Sequence, residues 1–298
     1  MIHISGMSGF VGDNLDRYLR ARNIYAKRIS RGELGCITSS QISGSVIHLA
    51  GKAHDLKKTS APEQYYAVNT DLTKSIYSAF LESTATKFIF ISSVKAVADS
   101  IEGKLKEDNF PFPKTDYGKS KLLAEQYIQS QDLPEGKSFY ILRPCMIHGP
   151  NNKGNLNLLY NFISKGFPYP LVAFENRRSF LCVENLCFVI REILERDDIP
   201  SGVYNVADDD PLSTTEVVQL LSHSLEKKPR LLNLSPGLIR TMARIGDFLR
   251  LPLNSEKLQK LTENYMVDNS KIKTVLKKEL PLSAREGILK TALSFKNA

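Results

Sequence analysis

The feature that most limits what this chain can fold into lies in its first dozen residues. Ile2 to Ser5 form a short apolar run that passes directly into Gly6-Met-Ser-Gly9-Phe-Val-Gly12, and Phe10, Leu15 and Leu19 then recur at helical spacing up to Arg22. Strand, tight turn and helix in that order are the opening unit of a parallel α/β sheet. Each glycine has a task that a side chain would obstruct: a turn at positive φ, close approach of the backbone to a pyrophosphate, and close packing of helix on sheet. The helix that follows offers unpaired N–H groups and a partial positive charge to phosphate. Any tight strand-to-helix turn can use glycines, so the rest of the chain decides.

The alternation continues. Ile24 to Ile29 and Val46 to Ala50 are predicted strands, Tyr65 to Phe80 a helix, and Phe88 to Ile91 a buried strand ending in Ser92-Ser93. Asp116 is the expected cap of a helix carrying Tyr117, Lys121, Leu123 and Tyr127, and Phe139 to Leu142 follows as a strand. The predicted class is α/β, a Rossmann-type doubly wound parallel sheet with ligands at the carboxyl ends of its strands. Residues 1–154 are expected to form its dinucleotide-binding domain. Past Arg143-Pro144 the alternation fades into the loop Gly149 to Asn155 and isolated helices. Residues 155–298 are therefore expected to be a smaller substrate-binding region, with 179–198 packing back on the sheet. Val203 to Val206 reads as a strand and Ser213 as the cap of a helix from Thr214. Pro236 to Leu249 reads as an amphipathic helix with Arg240, Arg244 and Arg250, packed on its own body in preference to a membrane surface.

Charge and cysteine usage narrow the partners. Lys plus Arg exceed Asp plus Glu by 40 − 32 = +8, scattered along the chain. With no recognised nucleic-acid module beside them, an anionic cofactor and substrate account for the surplus, as does a merely solvated basic surface. No apolar run approaches the roughly 20 residues that span a bilayer, and the chain does not open on a basic segment followed by a long apolar one. Cys36, Cys145, Cys182 and Cys187 make no CxxC pair, which fits reduced thiols in a cytoplasm and no metal site.

The chemistry is carried by Tyr117-Gly-Lys-Ser-Lys121 and the Ser92-Ser93 strand end. Four residues apart on a helix, Tyr117 and Lys121 share a face at about 5–6 Å between Cβ atoms. A free tyrosine ionises near pH ~10, but a neighbouring ammonium and the positive charge of an oxidised nicotinamide both favour the phenolate. Tyr117 is thus expected to exchange a proton with a substrate oxygen, held by Ser93, while hydride moves to or from the nicotinamide. The second strand ends in Ala26-Lys27-Arg28-Ile29-Ser30-Arg31, without the acidic residue that binds the ribose of NAD. Arg28 or Arg31 can instead hold a 2′-phosphate, so NADP is expected in preference to NAD.

With these residues in place the chain resembles, over nearly its whole length, the extended short-chain dehydrogenases/reductases: the NAD-dependent nucleotide-sugar epimerases, dehydratases and 4-keto reductases. The resemblance implies cofactor contacts from Gly6, Gly9, Phe10, Val11 and Gly12, from Leu49, Ala50 and Gly51 in His48-Leu-Ala-Gly51, from Asn69, and from Tyr117, Lys121 and Pro144. It implies a Ser93, Tyr117, Lys121 triad, and substrate contacts from Ser93, Lys95, Asn155 and Arg178. His148 stands where a tyrosine is common, in the stretch the family places beside the nicotinamide. Two departures matter. Val94 occupies the acidic slot of the dehydratases, although Lys95 beside it can ionise, so dehydration is not expected; and residues 31–45 are too few for a full strand and helix. What the resemblance implies is hydride transfer at C4 of a UDP-hexose. The expected form is an NAD(P)H-dependent 4-keto reductase of a UDP-deoxysugar in surface-polysaccharide biosynthesis. The alternatives are a 4-epimerase of UDP-glucose and UDP-galactose or their N-acetyl forms and, less favoured, a non-catalytic cofactor-binding sensor. Expected partners are a UDP-sugar and no nucleic acid, with no membrane span; a homodimer stays open.

Overall fold

Apolar runs of four to eight residues, bounded by glycine and serine, become strands buried on both faces, because the helices between them cover the sheet on either side. The computed structural model describes residues 1–52, 61–152, 154–249 and 254–296; Lys153, in the loop read at 149–155, and Arg250, on the basic helix, lie outside the described residues. The strands are β1 Ile2–Ser5, β2 Ala26–Ile29, β3 Ser43–His48, β4 Thr84–Ile91, β5 Lys104–Leu105, β6 Ser138–Pro144, β7 Met146–His148, β8 Phe180–Cys182, β9 Gly202–Val206 and β10 Met266–Val267. The helices are α1 Phe10–Arg20, α2 Pro62–Tyr66, α3 Leu72–Glu82, α4 Asp116–Ser130, α5 Asn155–Ser164, α6 Val183–Glu195, α7 Thr214–Ser224, α8 Pro236–Leu249, α9 Ser255–Thr262, α10 Ser270–Leu276 and α11 Ala284–Lys296.

Among the described residues the main sheet has the order β2-β1-β3-β4-β6-β9, with every pairing parallel. From β1 the chain passes to β2 on one side and to β3 on the other, so the crevice at the carboxyl ends of β1 and β3 is the switch point where such sheets bind ligands. Leu15 and Leu19 of α1 and Leu186 and Ile190 of α6 pack with Ile4, Ile47 and Ile89 on one face. Ile76 and Phe80 of α3 and Ala124 and Ile128 of α4 pack with Val46, Phe88 and Ile141 on the other. A third core, with Leu156, Val217, Ile239 and Ile288, joins α5, α7, α8 and α11.

The differences from the sequence reading have local causes. The helix expected over Tyr65 to Phe80 starts earlier, at Pro62, whose fixed φ suits a helix start, and is interrupted by a π turn over Ala67–Asp71. Thr115, not Asp116, caps α4: its hydroxyl accepts the Gly118 N–H at 3.2 Å, while Asp116 is already helical and accepts the Tyr66 hydroxyl at 3.1 Å. The strand expected to run from Val46 to Ala50 starts at Ser43 and ends at His48, and the one expected from Ile24 starts at Ala26. Ser213 does cap α7, in a capping box with Glu216. Residues 30–42 form only turns and a single 3₁₀ turn at Ser39–Gln41, so the strand and helix of a complete doubly wound half are missing there and β2 lies at the sheet margin. The helix α8 packs inward through Ile239, Ala243 and Gly246, yet Leu238, Met242, Ile245, Phe248 and Leu249 of the same helix are exposed.

Candidate functional site

The glycine loop is shaped by what a Cβ would strike. Gly6 sits at φ +71°, and a Cβ there would lie 2.6 Å from the Ala50 nitrogen; at Gly12 it would lie 2.4 Å from the Gly6 carbonyl oxygen. Backbone cannot yield to such contacts, so both positions demand glycine. Gly9 is less crowded, with 3.3 Å to the same oxygen, and it stands at the N-cap of α1 with no side-chain cap. The loop therefore leaves the first-turn N–H groups of α1, which begins with Phe10 and Val11, without side-chain partners at the switch point. Across the crevice the β3 end is pinned to β1: the Ser5 hydroxyl bonds His48 Nδ1 at 2.6 Å, and the Leu49 N–H donates to the Ser5 carbonyl at 3.2 Å. His48 is fully buried, its Nε2 bonded to Thr73 Oγ1 at 3.0 Å, and burial pushes its pKa down to about 3, so it is neutral at ordinary pH.

Asn69 projects from the π turn and ties the two halves of the site together. Its side chain accepts the Lys52 N–H at 2.8 Å and donates to the Lys52 carbonyl at 3.1 Å and to Ser120 Oγ at 3.0 Å, and Ser120 Oγ in turn donates to the Tyr117 carbonyl at 2.8 Å. The Leu49-Ala50-Gly51 segment is thereby held against α4. A Cβ on Gly51 would meet Asn69 Oδ1 and Lys121 Nζ, each at 3.1 Å.

Tyr117 and Ser93 meet. Ser93 caps the 3₁₀ turn Val94–Ala96 that ends β4, accepting the Lys95 N–H at 3.2 Å, and its hydroxyl is hydrogen-bonded to that of Tyr117. Gly118 makes this contact feasible: a Cβ there would lie 2.4 Å from the Lys95 carbonyl oxygen, so only glycine lets α4 press against the turn. The Tyr65 ring stands edge-on to Tyr117 at 6.3 Å. Burial raises the Tyr117 pKa, and the Ser93 hydrogen bond opposes that only in part. The Lys121 ammonium, expected to favour the phenolate, donates to the Ile91 carbonyl at 2.8 Å and lies 4.7 Å above the Phe90 ring. Burial pulls the Lys121 pKa down to about 8, with Glu125 one turn on acting in the opposite direction. Glu125 is fully buried, accepts the Ser92 hydroxyl, and is gripped by Arg143 through Nε at 3.0 Å, so a charge-assisted fork fixes α4 to the ends of β4 and β6. Pro144, the last residue of β6, is buried at the same end of the sheet.

On the other side of the crevice Arg178 is half-buried, 4.0 Å from Glu263, and burial lowers its pKa. It is linked to the catalytic-candidate turn through Tyr265. The Tyr265 N–H donates to the Arg177 carbonyl and the Ser179 N–H to the Tyr265 carbonyl, each at 2.9 Å, while the Tyr265 hydroxyl donates to the Ala98 carbonyl at 2.7 Å. Lys95 Nζ lies 4.3 Å above the Tyr265 ring and donates to the Asp99 carbonyl at 2.7 Å. A cavity of about 560 Å³ is lined by Phe174, Glu175, Arg240, Arg244 and Thr262 among others. Arg28 and Arg31 are exposed at the β2 margin, and Asn155 is exposed at the first position of α5. Among the described residues no hydrogen bond, ion pair or ring contact joins these three to the Ser93–Tyr117 pair. His148 is buried and bonded to Thr291 Oγ1 at 2.9 Å. Tyr265, Gly118 and the Glu125–Arg143 pair escaped the sequence reading; only Gly118, a small residue directly after Tyr117, carried a local sign. Among the described residues no His, Cys, Asp and Glu cluster could hold a metal ion.

Residues 2–207 match the model of the NAD dependent epimerase/dehydratase family. The UDP-glucose 4-epimerase of Vibrio cholerae is 27% identical over 320 residues, an alignment covering 100% of this chain and 96% of that protein. The GDP-6-deoxy-D-mannose reductase of Pseudomonas aeruginosa is 24% identical over 250 residues, covering 74% of this chain and 79% of that one. Among solved structures, RMD from Pseudomonas aeruginosa complexed with NADPH shares the fold with a TM-score of 0.75 at 18% identity, covering 100% of this chain and 99% of that one.

Proposed function

The chain belongs to the NAD dependent epimerase/dehydratase family, and from that premise we propose that it transfers hydride at C4 of a UDP-hexose, as the NAD(P)H-dependent 4-keto reductase of a UDP-deoxysugar in surface-polysaccharide biosynthesis. The observation that carries this reading is the hydrogen-bonded Ser93–Tyr117 pair, with Tyr117 held in its neutral form by burial. A buried phenol that keeps its proton is an acid, and reduction of a ketone needs an acid at the new alkoxide. Val94, where a dehydratase would carry an acid, has no proton to give.

The residues fit a dinucleotide, because the cradle at Gly6 and Gly12 is one that a Cβ would fill. Gly9, Phe10, Val11 and Gly12 would hold its pyrophosphate; Leu49, Ala50, Gly51, Asn69, Lys121 and Pro144 would line the rest. Arg28 and Arg31 would meet a 2′-phosphate, which favours NADP. When bound, the nicotinamide supplies the hydride. Ser93 then positions the substrate oxygen, Tyr117 delivers the proton to it, and the Lys121 ammonium, one turn further along α4, favours the phenolate that remains. Lys95, Asn155 and Arg178 are assigned to the nucleotide-sugar. Residues 1–154 with 179–198 form the cofactor-binding part in this reading, and the remainder of 155–298 mainly the substrate part. The four free cysteines fit work in a reducing cytoplasm.

The full-length likeness to an epimerase favours a second reading, in which the same residues oxidise C4 and reduce its other face. Analysis of the purified protein separates the two. The reductase carries little bound nicotinamide and oxidises NADPH only when a UDP 4-keto sugar is supplied. Stoichiometric bound NAD, with interconversion of UDP-glucose and UDP-galactose or their N-acetyl forms, would replace it with the epimerase.

A further inference from the structure

We propose that the outer face of α8, together with the basic segment that leads into it, docks the protein on an anionic membrane surface. The helix meets its packing needs on one side, where Ile239 is 2% and Ala243 0% exposed. A second apolar stripe faces outward: Leu238 51%, Met242 48%, Ile245 50% and Leu249 56% exposed, spaced four, three and four residues apart, with Phe248 at 88% beside them. Single exposed apolar residues are ordinary on a soluble protein, but five on one 14-residue helix form a patch that something covers.

Charge names the occupant. Residues 227–235, which lead into α8, carry Lys227, Lys228 and Arg230 and no acid, and the single acid of α8, Asp247, has its carboxylate accepting the Ser255 N–H at 2.9 Å. Two of these cations are held in place: Lys227 Nζ donates to the Ser164 carbonyl at 2.8 Å and Arg230 to the Gly166 carbonyl at 3.1 Å. With Lys228 they surround a hollow of about 360 Å³ beside Phe167, which is 52% exposed and stacks on Phe162 at 5.2 Å. Leu232, 42% exposed, lies in sequence between this basic group and α8. Apolar side chains at headgroup depth and cations among lipid phosphates are the two contributions by which an amphipathic helix binds an anionic bilayer. A second copy is a poorer occupant, because a two-fold contact sets the same basic segment against itself. No described helix is long and apolar enough to cross a membrane, so the docking is peripheral. Arg240 and Arg244 lie on another side of α8, where they line the cavity with Phe174, Glu175 and Thr262, away from the exposed stripe.

Co-sedimentation of the full chain with lipid vesicles tests this. The protein binds vesicles of phosphatidylcholine with phosphatidylglycerol, binds phosphatidylcholine alone at least about tenfold less, and is released at ~0.5 M salt. The double substitution Ile245→Glu/Phe248→Glu lowers binding about tenfold or more, and Lys228→Ala/Arg230→Ala removes the preference for the anionic lipid, with melting temperature and turnover in solution unchanged in both. Absence of binding to the anionic vesicles overturns the proposal, as does equal binding by wild type and the Glu variant. A wild-type dimer that Ile245→Glu/Phe248→Glu dissolves, without vesicle binding, overturns it in favour of an interface between copies.

Discussion

Tyr117 is held in its protonated form by burial while Ser93 hydrogen-bonds its hydroxyl, so its chemistry depends on one oxygen atom. Tyr117→Phe keeps the ring against Tyr65 and removes only that oxygen. Turnover is expected to fall by at least roughly 10²-fold with cofactor affinity retained, as single-turnover rates and cofactor titration will report. Lys121 makes a prediction about pH. Its folded pKa, about 8, lies below the ordinary 10.5. Below pH 8 it is charged in both states, and the fold bears the cost of a buried ammonium. Between about 8 and 10.5 the unfolded chain binds a proton that the folded chain does not, so this lysine makes stability rise with pH there. Tyr117, whose pKa is raised, reverses the trend above pH ~10, because the unfolded chain then releases a proton first. Denaturant titrations of the cofactor-free protein should therefore show Lys121→Met more stable than wild type by up to ~3 kcal/mol below pH 8, with that difference shrinking between pH 8 and about 10 while the buried thiols of Cys145, Cys182 and Cys187, their pKa values raised by burial, act alike in both proteins. Parallel profiles would mean that the ammonium is solvated. The spacing of Tyr117 and Lys121 was legible because i,i+4 geometry is local. Where the ammonium points was not, since the Ile91 carbonyl that receives it belongs to β4, 30 residues away.

At the scale of elements, the strands and helices were readable from period and apolar runs, whereas their junctions were set by atoms remote in sequence. The π turn that aims Asn69 inward has no pattern of its own, and its side chain finds partners in Lys52 and Ser120. The contact between α4 and the Val94–Ala96 turn is the junction on which the site most depends. Gly118→Ala puts a methyl 2.4 Å from the Lys95 carbonyl and 2.8 Å from Pro113 Cβ. The helix must move outward, carrying Tyr117 away from Ser93. A loss of about 1–3 kcal/mol in thermal or denaturant stability is expected, together with a fall in kcat larger than any change in cofactor affinity. A fully stable variant with normal kcat would show that the turn, and not the helix, gives way.

Across the whole molecule, the nucleotide-binding crevice could be anticipated because its glycines, strand and helix are adjacent in sequence. Its opposite wall could not, because Tyr265 reaches the Val94–Ala98 turn from 167 residues away. Arg178 lies between Arg177 and Ser179, the two residues whose backbone Tyr265 ties to that turn. Arg178→Ala should raise KM for a UDP-sugar and remove most inhibition by UDP while sparing cofactor binding, since alanine offers phosphate no charged donors. Unchanged UDP affinity in a competition assay would take Arg178 out of the substrate wall. The sheet margins carry a further consequence. At β9 the Val203 carbonyl is taken by Lys271 Nζ at 2.8 Å, but β2 has no outer neighbour among the described residues and presents Lys27 and Arg28 to solvent. A strand with free backbone groups is a template for a foreign strand, and charged side chains along it discourage that pairing. Redesigning cofactor preference by replacing Arg28 with an apolar residue would therefore also weaken the chain's guard against aggregation.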